Sequence, residues 1–193
     1  MVTRQRSPRR PAQRPDQILD AAERLLGAGA TDLNMDEVAV AAGLSKGTLY
    51  HYYAAKTDVL DALRHRYLDR SVRAALGAAP TNASTLTRIG GFVRILLAHA
   101  VAHATLVWPL FHDTGTSGGH LSIVADALRD LIHDGVTRGE FAIDNADAVA
   151  DFYTHGFFGR IRSAFHDSQV QPDKLADELL VMLERLVAPT PHD

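Results

Sequence analysis

Between Ser45 and Lys56 the sequence gathers side chains suited to holding a polyanion: Ser45, Lys46, Gly47, Thr48, Tyr50, His51, Tyr52 and Lys56. Lys46 offers a cation to a phosphate or a guanine edge. Thr48 carries a hydroxyl for hydrogen bonding and a methyl that suits a thymine methyl. Tyr50, His51 and Tyr52 present flat surfaces with polar tips. Gly47 allows close backbone approach. Lys56 stands where a following helix would start, so its ammonium and free N–H groups would act on one phosphate together. Leu49 lies among these exposed types and is expected to face the core.

A second cluster lies in the middle of the chain. His99 and His103 are four residues apart, on one face of a helix, a spacing that can hold a metal. No acid stands between them in the zinc-protease arrangement. They are read instead as pocket-lining or hydrogen-bonded histidines, with no metal and no cofactor expected. The chain has no Cys, which excludes a disulfide framework, a Cys-ligated zinc site and a thiol nucleophile. A phosphate-loop glycine pattern and a serine elbow are also missing, so no enzyme is expected.

The elements that must position these groups are all helical. Ile18, Ala21, Ala22, Leu25 and Leu26 recur on one helix face, begun by Pro15 and Asp16 and ended by Gly27 and Gly29. Asn34 and Glu37 have the spacing of a capping box, followed by Met35, Val38, Ala39 and Ala42 as a buried face. Gly43 stops that helix and Ser45 starts the next, which makes a helix-turn-helix. Asn34 and Ser45 stand at the starts of these two helices and complete the candidate contact set. Leu60, Leu63, Tyr67 and Val72 then line a helix reaching about Ala79. Further helices are expected over about 83–103, from Leu121 to Gly135 or Gly139, over 144–165 and over 173–187. Thr114–Gly119 reads as a loop. No sustained strand alternation appears. The fold class is all-α: an N-terminal three-helix domain and a larger C-terminal helical domain.

Charge supports that division. The 193 residues carry a net charge of −3. Residues 1–66 have ten Lys/Arg against eight Asp/Glu, whereas residues 67–193 have ten against fifteen. Arg4, Arg6, Arg9, Arg10 and Arg14 precede the first acid, and Pro8, Pro11 and Pro15 punctuate them. Residues 1–15 therefore read as a basic, flexible arm, residues 16–63 as the helix-turn-helix domain and 64–193 as the second domain. The basic start lacks the apolar run of a secretory signal. The most apolar stretch, Ile95–Phe111, is interrupted by His99, His103 and Pro109 and falls short of the roughly 20 residues of a membrane span. A cytoplasmic protein with no membrane partner is expected.

The block Gln17–Leu63 resembles the DNA-binding domain of the TetR family of bacterial transcriptional regulators. The likeness rests on Ile18-Leu19-Asp20-Ala21-Ala22, on Met35-Asp36-Glu37-Val38-Ala39 and on Ala42-Gly43-Leu44-Ser45-Lys46-Gly47-Thr48-Leu49-Tyr50-His51-Tyr52, with Lys56 and Leu60 completing it. It implies a dimer on a pseudo-palindromic double-stranded operator, most often as a repressor, with an activator as the alternative. Gly47, Thr48, Tyr50 and His51 then fall where family members meet bases or groove walls. Lys46, Tyr52 and Lys56 fall where they meet phosphates. The chain departs from the family at Ala30, Leu33, Tyr53 and Ala55. Ala55 replaces a Ser or Asn, so the helix at Lys56 lacks that side-chain cap. Tyr53 is expected in the core.

The resemblance also assigns roles to the second domain. The middle helices would enclose a small-molecule effector, with Phe92, Leu96, His99, His103, Trp108, Phe111 and His112 as lining. No Asp or Glu occurs between Ser71 and His112, which favours a neutral or anionic, largely apolar ligand. The last two helices would pair with a second copy as a four-helix bundle through Phe152, Tyr153, Gly156, Phe157, Ile161, Leu179, Met182, Leu183 and Leu186.

Overall fold

The computed structural model describes residues 14–78, 80, 82–111, 121–166 and 171–187. Arg4, Arg6, Arg9 and Arg10 of the basic arm, His112 and the Thr114–Gly119 segment lie outside these residues. All regular structure among the described residues is helical: α1 Arg14–Gly27, α2 Met35–Ala42, α3 Lys46–Tyr52, α4 Lys56–Ala78, α5 Thr85–Ala102, α6 Ala104–Phe111, α7 Ser122–Thr137, α8 Ala146–His166 and α9 Pro172–Val187. The chain divides into two compact units, Met1–Leu63 and Arg64–Asp193, and the division falls within α4.

In the first unit α1 packs on α2 and α2 on α3. Helix α1 starts at Arg14, so Arg14 and Pro15 both lie in its first turn. It buries Ile18, Leu19, Ala21, Ala22 and Leu26; Leu25 is only half-buried. Two of its polar side chains reach the end of α2. Gln17 Nε2 donates to the Ala42 carbonyl at 2.8 Å and Arg24 to the Ala41 carbonyl at 3.4 Å. These carbonyls have no partner within their own helix. The turn out of α2 needs glycine: Gly43 has φ +66°, and the Gly43 and Leu44 N–H groups close back on Val40 and Ala39.

In the second unit α5 packs against α9, α7 and α6, and α8 against α7 and α9. Helix α5 is long and apolar enough to cross a membrane by length and composition. Its Ile89, Phe92, Val93, Leu96, Leu97 and Ala100 are buried inside this unit, which makes it a core helix. Ser84 caps it by accepting from Thr87 N. Glu140 adds a carboxylate that accepts from Thr85 N at 2.5 Å, suited to the positive end of the helix. Helix α6 lies beyond the helix expected over 83–103. The chain turns at His103 and resumes helix until Phe111, with Pro109 inside its last turn. At Gly135 packing favours glycine, because a Cβ there would overlap the Phe141 ring unless that ring moved.

Candidate nucleic-acid interface

The turn between α2 and α3 is built by local capping. Asn34 Oδ1 accepts from Asp36 N at 2.9 Å, so the cap bond reaches the second residue of α2 rather than the Glu37 N–H of a capping box. Ser45 Oγ accepts from Thr48 N at 3.1 Å and lies 2.8 Å from Thr48 Oγ1. Asn34 and Ser45 therefore use their side chains to start the two helices. Leu49 is fully buried and fixes the rotation of α3. That rotation leaves Ser45, Lys46, Gly47, Tyr50 and His51 exposed, with Thr48 and Tyr52 half-buried.

Packing does not explain Gly47: beyond its chain neighbours and the adjoining backbone of its own helix, a Cβ there would meet nothing within 4 Å. Tyr53 is half-buried rather than core. It is the C-cap of α3 with extended backbone, so it leaves the helix before it can share the face of Leu49. Leu33, where the family often has Thr, is buried and serves the core. At the start of α4, Ala55 offers no side-chain cap. Asp58 compensates, its carboxylate accepting from Ala55 N at 2.9 Å.

Both candidate phosphate-binding lysines are paired with acids that the sequence pattern did not single out. Lys46 Nζ lies 2.8 Å from Asp36 Oδ1, and Lys56 Nζ lies 2.7 Å from Asp32 Oδ2. The hydrogen bond and charge of Asp36 raise the Lys46 pKa above its ordinary value. The Lys46 ammonium also stands 6.0 Å from the centre of the Tyr50 ring. An open concavity of about 470 Å³ brings Asp32, Asn34, Asp36, Glu37, Lys46 and Tyr50 onto one surface. Periodicity shows which face an acid is on, but not that it faces a lysine ten or twenty-four residues away.

The candidate effector-lining residues do not all come together. Phe92 and Leu96 are buried in the core. His99, His103 and Phe111 gather around two α4 residues the sequence reading left out of the lining, Tyr67 and Ser71. The Tyr67 ring is 6.3 Å from His103 and 6.1 Å from Phe111. His99 Nδ1 is 3.5 Å from Ser71 Oγ, a long contact, and His103 Nδ1 donates to the His99 carbonyl at 3.0 Å. Burial pushes the Tyr67 phenol up to about 12, with Ser71 pulling the other way. Trp108 is exposed on α6. The four-residue spacing of Tyr67 and Ser71 was the available signal for their shared face.

The candidate dimer residues also divide. Tyr153, Phe157, Leu179 and Leu183 are buried within this chain, so they are intrachain core, while Ile161 is half-buried. Phe152 is 70% exposed and Met182 53%, with Val181 and Leu186 also exposed. A Cβ at Gly156 would touch nothing. Arg160 pairs with Glu178 across α8 and α9 at 3.1 Å.

Comparison with known proteins extends these observations. Residues 18–63 match the family model described as bacterial regulatory proteins, tetR family. An uncharacterized HTH-type transcriptional regulator of Mycobacterium tuberculosis is 44% identical over 68 residues, which is 35% of this chain and 32% of that protein. The match thus spans about a third of that relative's length. Two solved structures share the fold over most of the chain. RolR in complex with resorcinol has a TM-score of 0.72 at 17% identity, covering 94% of this chain and 96% of its own. FadR from Bacillus subtilis in complex with stearoyl-CoA has a TM-score of 0.72 at 16% identity, covering 87% and 96%.

Proposed function

We propose that this chain, whose residues 18–63 match the tetR family of bacterial regulatory proteins, is a dimeric, sequence-specific DNA-binding repressor released by a small-molecule ligand. The observation that carries the reading is α3. One buried leucine, Leu49, anchors a helix whose exposed side holds Lys46, Gly47, Tyr50 and His51. A recognition helix enters the major groove with its N-terminal residues leading. Gly47, Thr48, Tyr50 and His51 then meet bases or groove walls, and Lys46, Tyr52 and Lys56 hold phosphates. Asn34 and Ser45 act through the backbone geometry they cap.

A single seven-residue recognition helix reads few base pairs, so a symmetric pair on two half-sites supplies the rest. The exposed apolar residues of α8 and α9 are suited to that pairing. Phe152, Met182 and Leu186, with the open face at Gly156, form the interchain part of the expected set. The effector reading is supported by the Tyr67, Ser71, His99, His103 and Phe111 cluster, and by the ligand complexes of RolR and FadR. Release from DNA requires that the ligand bind one dimer conformation better than the other.

Selection of bound duplexes from a random library tests the reading. Enrichment of a pseudo-palindrome is expected, and binding should collapse in Lys46→Ala and Tyr50→Ala while dimerisation and helical content persist. Failure to enrich any sequence, or equal binding by both variants, would overturn it.

A further inference from the structure

The two lysines proposed to hold phosphates are each the first residue of a helix, Lys46 of α3 and Lys56 of α4. A helix N-terminus carries partial positive charge, so a cation there adds to it and the local field favours an anion. In the free protein that anion is internal. Asp36, in the first turn of α2, holds Lys46 through both carboxylate oxygens at 2.8 and 3.0 Å. Asp32, in the segment before α2, holds Lys56 through both of its oxygens at 2.7 and 2.9 Å. The same bidentate arrangement thus occurs twice, from acids outside the lysines' own helices. All four side chains are well exposed, so the pairs are weakly held and can exchange.

We propose that Asp32 and Asp36 are intramolecular competitors of the DNA backbone, which keep Lys46 and Lys56 from binding phosphate until α3 is seated on its operator. The proposal rests on the DNA-binding reading above. Moving a lysine from carboxylate to phosphate releases a cation from the DNA, but the freed carboxylate regains one from solution. These lysines then contribute little to the counterion release that drives non-specific binding. On the operator, base contacts along α3 favour the exchange. On any other duplex those contacts are missing, the lysines stay with their acids, and the acids oppose the backbone. The two aspartates therefore determine specificity without touching a base.

The test uses the full chain, Asp32→Asn, Asp36→Asn and the double variant. Each is bound to the duplex selected by the wild type and to a scrambled duplex over a range of salt concentrations. Thermal melting checks that each variant is folded. The double variant should bind the scrambled duplex about tenfold tighter, gain less on the selected one, and steepen the salt dependence by about one unit per lysine freed. In a Lys46→Met, Lys56→Met background the same Asp→Asn changes should leave the salt slope unchanged. Equal gains on both duplexes, an unaltered slope in the lysine-bearing chain, or weaker binding would overturn the proposal while leaving DNA binding intact. A wild type that binds no duplex would remove the DNA reading, and this inference with it.

Discussion

Arg64, buried in α4, donates its Nε–H to the main-chain carbonyl of Leu110 at 2.5 Å, in the last turn of α6. The carbonyls of a last helical turn lack intrahelical partners, and a guanidinium there also meets the negative end of the helix. Helix α4 begins at Lys56 in the first unit and continues into the second. Arg64 and Leu110 both lie in the second unit, so the bond fastens the part of α4 that begins at Arg64 to the helix carrying Trp108 and Phe111. Arg64→Met keeps much of the apolar stem and removes the donor. It is expected to lower stability by about 1–3 kcal/mol, read from urea unfolding. An unchanged midpoint would show that the carbonyl finds another partner.

Gly47 separates fold from function. An alanine Cβ would meet nothing beyond its chain neighbours and the adjoining backbone of its own helix, and alanine favours helix over glycine by about 1 kcal/mol. Gly47→Ala should hold or raise the melting temperature and weaken operator binding. Undiminished affinity in a gel-shift titration would mean that the backbone does not approach the duplex at this position.

Phe152 tests the dimer face, because it is 70% exposed in the single chain. Phe152→Glu should leave helical content unchanged and shift light scattering from dimer to monomer, since a buried unpaired carboxylate is strongly unfavourable. Tyr153→Glu should instead disrupt folding, because Tyr153 is 3% exposed within the chain. A Phe152→Glu protein that remains dimeric would place the interface elsewhere.

Tyr67 gives an alkaline signature. Burial raises its phenol from 10.0 to about 12 in the folded state, so the folded protein holds this proton more tightly than the unfolded chain. The resulting stability is fully present below pH 10 and is lost as pH rises towards 12. The loss amounts to about 3 kcal/mol. Tyr67→Phe should remove that part of the pH dependence in denaturant titrations. A wild type and variant with parallel alkaline profiles would contradict the assignment.

The features readable from the residues alone are local. Gly43, Ser45, Met35, Val38 and Leu49 act over three to six residues. Caps and helical spacing are therefore readable directly, together with the helix-turn-helix and the exposed set on α3. Even the missing cap at Ala55 was legible, though not its replacement by Asp58. Tertiary structure decided what those periodic faces meet. An apolar stripe on α8 looks the same whether covered by this chain or a second copy. Only packing separates buried Tyr153 and Phe157 from exposed Phe152 and Gly156. Helix α6 was likewise hidden, because Pro109 obscured a short helix held by long-range contacts such as Arg64 to Leu110. The pairing of Lys46 with Asp36 and Lys56 with Asp32 also joins separate elements. A charge pattern along the chain carries no information about such distances, because they depend on how one helix is rotated against another.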